Sequence, residues 1–406
     1  MDGPFEVISV KRLWFAIVLV LALAVAASIF GSHHVGASSS SWITTWGASN
    51  TEAAPGVTVA DLTVRLNANI TTGGTQVRIR LSNAFGGAPV VIGHATVGTA
   101  TYSGSAAITS GTLQGLTFNG QTAITIPPGG QVLSDGVSFT VTPGQNLSVS
   151  LYLPDTIYDP SINYFSEATS YLSIPGDHTE ETAGSSFSYP MNSYYYLSAI
   201  DVSGSAATSS VVAVGDSITE GYGSSIDANQ RWTDDLAVRL QSNSTVFGVV
   251  NEGIGGNQLL QGGGDAGVPG LARLDRDAIA ESGVKDIVLA LGINDIFLLS
   301  NATSITTGYQ QFVNQAHAVG LRVIGATITP FGGVAGVTSG MEQTRESVNA
   351  SVRAGGIFDA YVDFDLAVRN PSQPTHLLAA YDSGDHIHPN AAGYVAMSNE
   401  FNLSIF

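Results

Sequence analysis

The sequence predicts an all-β sandwich followed by an α/β domain built on a parallel sheet. Two textures carry that prediction. Before residue 202, short runs alternate polar and apolar residues, as in Gln76-Val77-Arg78-Ile79-Arg80-Leu81. That is the period of a half-buried strand. From residue 211 on, wholly apolar runs alternate with helix-like stretches. That is the pattern of strands covered by helices on both faces. Between the two textures lies Ser203-Gly204-Ser205-Ala206-Ala207-Thr208-Ser209-Ser210, small, polar and featureless, which reads as a linker. The expected organisation is therefore a leader at 1–37, a β-sandwich at 38–202, a linker at 203–210 and an α/β domain at 211–406.

The leader comes first. Lys11 and Arg12 precede an uncharged run from Leu13 to Phe30, and Val35-Gly36-Ala37 offers the small residues that a signal peptidase reads. A cleaved export signal is expected. The run is also just long enough to span a bilayer, so an anchor that leaves the rest of the chain outside the cell is the alternative. Ser38 to Ser41 is a polar spacer.

The β-region follows. Ala123-Ile124-Thr125-Ile126, Val137-Ser138-Phe139-Thr140-Val141 and Leu147-Ser148-Val149-Ser150-Leu151 repeat the period-two pattern. Gly73-Gly74, Gly86-Gly87, Pro127-Pro128-Gly129-Gly130 and Pro143-Gly144 supply turns between them. Short strands with regular turns argue for an antiparallel sandwich. Tyr194-Tyr195-Tyr196 is read as packing into that sandwich or against the next domain, with a sugar-stacking platform as the alternative.

In the second region the expected strands are Val211 to Val214, Phe247 to Val250, Ile287 to Leu291, Arg322 to Thr327 and Tyr361 to Phe364. Helical patterns run over Trp232 to Leu240, Leu271 to Glu281, Gly308 to Val319 and Glu342 to Ala354. Composition narrows the partners. The formal charge is -18, with two lysines and twelve arginines against 32 acids. A basic footprint for nucleic acid is missing, whereas such an acidic surface suits a neutral or cationic small substrate, or simply solubility. There is no cysteine, so thiol nucleophiles, disulfides and Cys-type zinc sites are excluded. Asn69, Asn146, Asn243, Asn301, Asn349 and Asn402 each begin an Asn-x-Ser/Thr triplet, of consequence only in a glycosylating host.

The chemistry gathers at strand ends. Val211-Val212-Ala213-Val214 stops at Gly215-Asp216-Ser217, which places a serine outside the carboxyl end of a buried strand, where ligands of open α/β sheets bind. Alone, that triplet is no more than a strand-to-loop turn. Asn251-Glu252-Gly253-Ile254-Gly255-Gly256-Asn257 lets backbone N–H groups approach a ligand. It is no dinucleotide fingerprint, because Gln258 stands where a third glycine is needed. Leu291-Gly292-Ile293-Asn294-Asp295 offers an amide donor for an oxyanion, or a turn-forming Asn-Asp pair. Asp385-His386-Ile387-His388-Pro389 spaces a carboxylate three residues from an imidazole, close enough to orient it towards Ser217. His386 and His388 also form a His-x-His pair, but no further cluster completes a metal site, and His386 reads as a bystander.

These four blocks in this order resemble the SGNH or GDSL hydrolases: Gly215-Asp216-Ser217, Gly256 five residues after Asn251, Gly292-x-Asn294-Asp295, and Asp385-x-x-His388. The resemblance covers roughly 209 to 400. It extends to Val77 to Gly86, Gly325 to Phe331 and Arg345 to Asn349, which look like the secreted, xylan-esterase-like type with a β-rich leader domain. It implies a flavodoxin-like three-layer sandwich and a serine esterase. Ser217 would be the nucleophile, His388 the base and Asp385 its orienting acid, with the N–H groups of Ser217 and Gly256 and the Asn294 amide as oxyanion hole. Asp216 would be structural. No cofactor or metal is implied. Thr219 replaces the second glycine of a Gly-x-Ser-x-Gly elbow, which sets the α/β-hydrolase fold aside. The family more often has glycine where His386 stands, and the bulkier ring is expected to narrow the site. The implied substrates are short acyl esters, acetyl above all, on plant polysaccharide. A short-chain lipase or lysophospholipase uses the same machinery, and a non-catalytic carbohydrate-binding surface protein is the reading from another class. Leaving-group preference is expected to depend on the Gly-rich loops Gln258 to Gly270 and Phe331 to Gly340.

Overall fold

The computed structural model describes residues 41–242 and 247–406. The leader at 1–37, most of the Ser38–Ser41 spacer and the Asn243 triplet lie outside them. Among the described residues no helix is long and apolar enough to cross a membrane.

The period-two segments enter two antiparallel sheets, except Ile124–Ile126, which pairs with Val90–Ile92 in a separate two-stranded sheet. In one, Gly74–Ser82 pairs with Leu197–Ser203, which pairs with Ile43–Gly47. In the other, Asn146–Leu153 lies between Leu62–Asn69 and His94–Thr99. Val77, Ile79 and Leu81 from the first and Val64, Leu66 and Ala68 from the second enter a shared apolar core. Alternation is what sends them there, since residues two apart share a face. Tyr194, Tyr195 and Tyr196 are all buried in this region. The Tyr194 hydroxyl donates to Asn67 O at 2.7 Å, which makes that ring structural.

The second region is a five-stranded parallel sheet in the order Phe247–Gly253, Ser209–Gly215, Val284–Ala290, Arg322–Ala326, Ala360–Val362. This is the 2-1-3-4-5 order of doubly wound sheets, in which the chain reverses direction beside the first strand. Trp232–Ser242 packs against Ala391–Asn399, and Ala302–Ala318 against Ser339–Ala354. Right-handed crossovers place these pairs on opposite faces, which gives three layers. Two elements differ from expectation. Phe364, read as a strand end, starts the helix Phe364–Val368, with Asp363 accepting from Leu366 N as its cap. The segment from Leu271 to Glu281 is an α-helix over Gly270–Leu274 followed by a π-helical turn over Asp275–Ile279. The wider turn carries Arg273 and Asp277 inward together, where they pair at 3.2 Å.

The two regions form one compact unit over residues 41–406. Ser203 ends one strand and Ser209 begins the next, so the segment read as a linker shrinks to the five residues Gly204 to Thr208. Ser210 is buried, and its hydroxyl donates to Thr44 O at 3.0 Å and Ser282 O at 2.9 Å. The polar side of the Gly74–Ser82 strand is not solvated either. Arg80 is buried, paired with Glu281 and donating to Ala280 O at 2.7 Å. Thr44 N donates to Ser282 O at 2.9 Å, and Thr71 Oγ1 donates to Val249 O at 3.0 Å. Gly248 carries no Cβ because one would collide with Thr44 O. Asn349 is fully buried and exchanges hydrogen bonds with both Ile328 backbone groups, so its triplet is closed to glycosylation in the folded chain.

Candidate active site

The sheet delivers Ser217. Strand Ser209–Gly215 is an inner strand of the sheet, and beyond its end Asp216 caps the short helix Ser217–Glu220 by accepting from Ile218 N at 3.0 Å. Gly215 is needed for a close approach: a Cβ there would run into the Thr219 side chain. Asp216 is buried, and burial pushes its carboxyl up to about 7. Its side chain serves the helix cap, in keeping with a structural part.

Asp385, His388 and Ser217 stand in a line. Asp385 Oδ2 is 2.6 Å from His388 Nδ1, and His388 Nε2 is 2.8 Å from Ser217 Oγ. Partial burial works to raise the Asp385 carboxyl. The amide and ring of His388 and the amide of Ile387 overcome it and hold the group down at about 2. An ionised Asp385 makes Nδ1 the protonated nitrogen. Nε2 is then the acceptor for the Ser217 hydroxyl. The Tyr222 ring lies 4.5 Å from that of His388, centroid to centroid, and limits how far the imidazole can swing.

Gly256 and Asn294 line the same cleft as Ser217 and His388, a space of about 340 Å3. Gly256 has φ 73, a left-handed conformation that favours glycine. Asn294 Nδ2 donates to Asn257 O at 3.0 Å. That bond fixes the amide and leaves its second N–H free for the cleft. Asp295 is buried and accepts from Leu259 N at 2.8 Å and Leu260 N at 3.0 Å, so the Asn-Asp pair holds the glycine loop as well as ending a strand. Ser217, Gly256, Asn294 and His388 thus share one cleft, and Asp385 stands behind His388 outside its lining. His386 is the exception to the expected crowding. It does not line the cleft; its Nδ1 pairs with Asp382 Oδ2 at 2.7 Å and its ring packs towards Gly333. His386 has φ 69, which explains on backbone grounds why glycine suits the position. Among the described residues no group of three or more His, Asp or Glu side chains is arranged to hold a metal ion.

Sequence reasoning passed over several residues of the cleft. Glu220, Tyr222, Asp265, Ala266 and Ile387 line it, and so does Phe165, which comes from the β-region. Arg273 sits beneath, fully buried. It donates to Gly215 O at 2.9 Å, Glu252 O at 2.7 Å, Asn257 Oδ1 at 3.0 Å and Ser49 Oγ at 3.0 Å. One guanidinium therefore ties the strand that leads to Ser217 to the residue that fixes Asn294. Tyr222 and Glu220 flank Gly221 within a few residues of Ser217, and that proximity is a signal that could have found them. Nothing local marks Phe165 or Arg273.

Residues 213–396 match the GDSL-like lipase/acylhydrolase family. Among solved structures, the chain is similar to a GDSL-like lipase from Bacteroides thetaiotaomicron, at 22% identity over 49% of this chain and 88% of that one, with a TM-score of 0.36. It is similar to Est24, a carbohydrate acetylesterase from Sinorhizobium meliloti, at 20% identity over 47% and 94%, with a TM-score of 0.37. It is also similar to an aryl esterase of M. smegmatis, at 18% identity over 47% and 94%, with a TM-score of 0.38. No curated protein matches the chain.

Proposed function

We propose, on the premise that the C-terminal half of the chain belongs to the GDSL-like lipase/acylhydrolase family of ester hydrolases, that this protein is an exported serine esterase of short acyl esters, acetyl esters of polysaccharide among them. The observation that carries the reading is the hydrogen-bonded line from Asp385 through His388 to Ser217 Oγ. Support for export comes from Lys11-Arg12 followed by the uncharged run to Phe30. Support for a short acyl group comes from the cleft, whose volume of about 340 Å3 lies near the low end for small-molecule sites.

The proposed reaction is a two-step acyl transfer. Ser217 Oγ attacks the ester carbonyl carbon and its proton passes to His388 Nε2. The carbonyl oxygen becomes an oxyanion, met by the N–H groups of Ser217 and Gly256 and by Asn294 Nδ2. The intermediate collapses, the C–O bond to the alcohol breaks, and His388 returns the proton to the departing oxygen. Water then attacks the acyl-Ser217 ester, giving its proton to His388, and the carboxylic acid leaves as Oγ takes that proton back. Asp385 stays ionised throughout and stabilises the imidazolium formed in each half.

The test is hydrolysis of p-nitrophenyl acetate and longer acyl homologues by the wild type and by Ser217→Ala. The expected loss in kcat is roughly a thousandfold or more. Equal activity in the two proteins, or loss of activity with a chelator, would overturn the serine assignment. Turnover rising with acyl length would replace the acetyl esterase with a lipase.

A further inference from the structure

We propose that a groove on the β-region, opening from the Ser217 cleft, is the subsite for the alcohol half of the ester, and that its occupant is an uncharged polyhydroxylated chain such as a glycan. The inference rests on the ester-hydrolase reading above and deepens it.

The groove is built from both halves of the molecule. Its floor is a small antiparallel sheet in which Ser161–Asn163 lies between Glu52–Ala53 and Tyr194–Tyr195. Glu52, Ile162 and Tyr195 face the groove from those strands. Tyr164 and Phe165 form one wall, Pro190 to Ser193 another, and Asp265 enters from the Gly-rich loop of the α/β region. The volume, about 800 Å3, falls within the range of small-molecule sites. Phe165 and Asp265 line both this groove and the Ser217 cleft, so the two spaces adjoin.

The walls are held in place before any ligand arrives. Arg231 Nη2 donates to Ser166 O at 2.8 Å, and Asp227 N donates to Glu167 O at 3.1 Å. Thr169 donates to Asp227 from its backbone N and from its hydroxyl, each at 2.6 Å. Ser193 Oγ donates to Tyr164 O at 2.8 Å, which ties the two walls together. A wall already in its bound form spends less affinity on ordering.

The chemistry of the lining selects the occupant. Tyr164 is 40% and Phe165 47% exposed, and their rings meet edge to face with centroids 4.8 Å apart. Fixed, exposed ring faces suit the C–H faces of a pyranose. Glu52, Asp265, Asn192 and Ser193 offer acceptors and donors for hydroxyl groups. Burial, and then the nearby Asp265, raise the Glu52 carboxyl, as expected of two acids that share one space. Among the described residues no Lys, Arg or His lines the groove, so an anionic partner finds no counter-charge there. A long acyl chain would desolvate both carboxylates without giving them a partner.

The test compares full-length wild type, Tyr164→Ala and Glu52→Gln on p-nitrophenyl acetate, acetylated xylo-oligosaccharide and acetylcholine. The expected result is a tenfold or greater fall in kcat/KM on the oligosaccharide relative to the same variant's value on p-nitrophenyl acetate. Equal falls on both substrates, or no change in the ratio, would overturn the subsite. So would a preference for acetylcholine that Glu52→Gln removes, which would make the groove a cation site. Calorimetric binding of an unacetylated xylo-oligosaccharide to Ser217→Ala reads the groove without turnover. Its Kd should rise tenfold or more when Tyr164→Ala is added, and an unchanged Kd overturns the proposal. Wild type that binds the oligosaccharide but hydrolyses no ester would sink the esterase reading alone.

Discussion

At Ser217 everything depends on which His388 nitrogen is free, and Asp385 decides it by remaining a carboxylate down to about pH 2. Arg273 acts one step back, through backbone oxygens, and is a positioning residue. His386 is the residue whose local conformation and chemistry diverge. Its left-handed backbone costs of order 1–2 kcal/mol for a residue with a Cβ. The pair with Asp382, at 2.7 Å, works against that cost. His386→Gly should therefore leave kcat/KM on p-nitrophenyl acetate within about threefold of wild type and the melting temperature within a few degrees. A hundredfold loss of activity would show that the ring takes part in the reaction after all.

At the scale of elements, the segment from Gly221 to Arg231 has two duties. It carries Tyr222 against His388, and it reaches across to the β-region through Asp227 and Arg231. Asp227 is the hub, accepting twice from Thr169, while its carbonyl accepts from Ser103 Oγ at 2.6 Å. Hydrogen bonds to a charged group are worth about 2 kcal/mol each at most sites. Asp227→Ala removes two such bonds and should cost about 4 kcal/mol in urea unfolding, with an unchanged m-value. It should also raise KM more than it lowers kcat, because Phe165 loses its anchor while the Asp385–His388–Ser217 line keeps its own. A fall in kcat at constant KM would mean that Tyr222, and with it His388, is what Asp227 holds. The Gly-rich loop from Gln258 to Gly270 is similarly specified from outside itself, by Asp295 and by Asn257 donating to Ala266 O and Val268 O.

At the scale of the whole molecule, buried acids set the response to pH. Burial pushes Asp216 up to about 7, and burial followed by Asp234 pushes Asp235 to about 6. Burial, with Glu167 after it, raises Glu220 well above the usual carboxylate range. At pH 5 these groups are neutral in the folded chain and largely charged in the unfolded one. The folded state then binds more protons, so stability falls as pH rises from about 4 to about 7. Glu181 and Asp385, held at about 2, work in the opposite direction, but only as pH falls below about 4. The formal charge of -18 adds self-repulsion at higher pH. The melting temperature should be higher at pH 5 than at pH 8 by at least about 3 °C, roughly what 1 kcal/mol is worth. A midpoint that rises across that interval would contradict the assignment of these carboxyls.

The sequence by itself determined most of the elements and the candidate site residues. Strand Val211 to Val214 is legible because a run of apolar residues must be buried on both faces, and Ser217 because glycine and aspartate end that run. Asp385 and His388 are legible because three residues of chain separate them, so one loop brings them together. Tertiary structure alone decided that Arg80 is buried, that Ser210 belongs to the interface, that Arg273 lies beneath the strand leading to Ser217 and that Phe165 lines the Ser217 cleft. Each of these depends on a partner from 50 to more than 200 residues away. Periodicity reports which face of an element is apolar. It carries no information about which polar face another element will cover, because that is settled by the packing of two surfaces and not by the pattern of either.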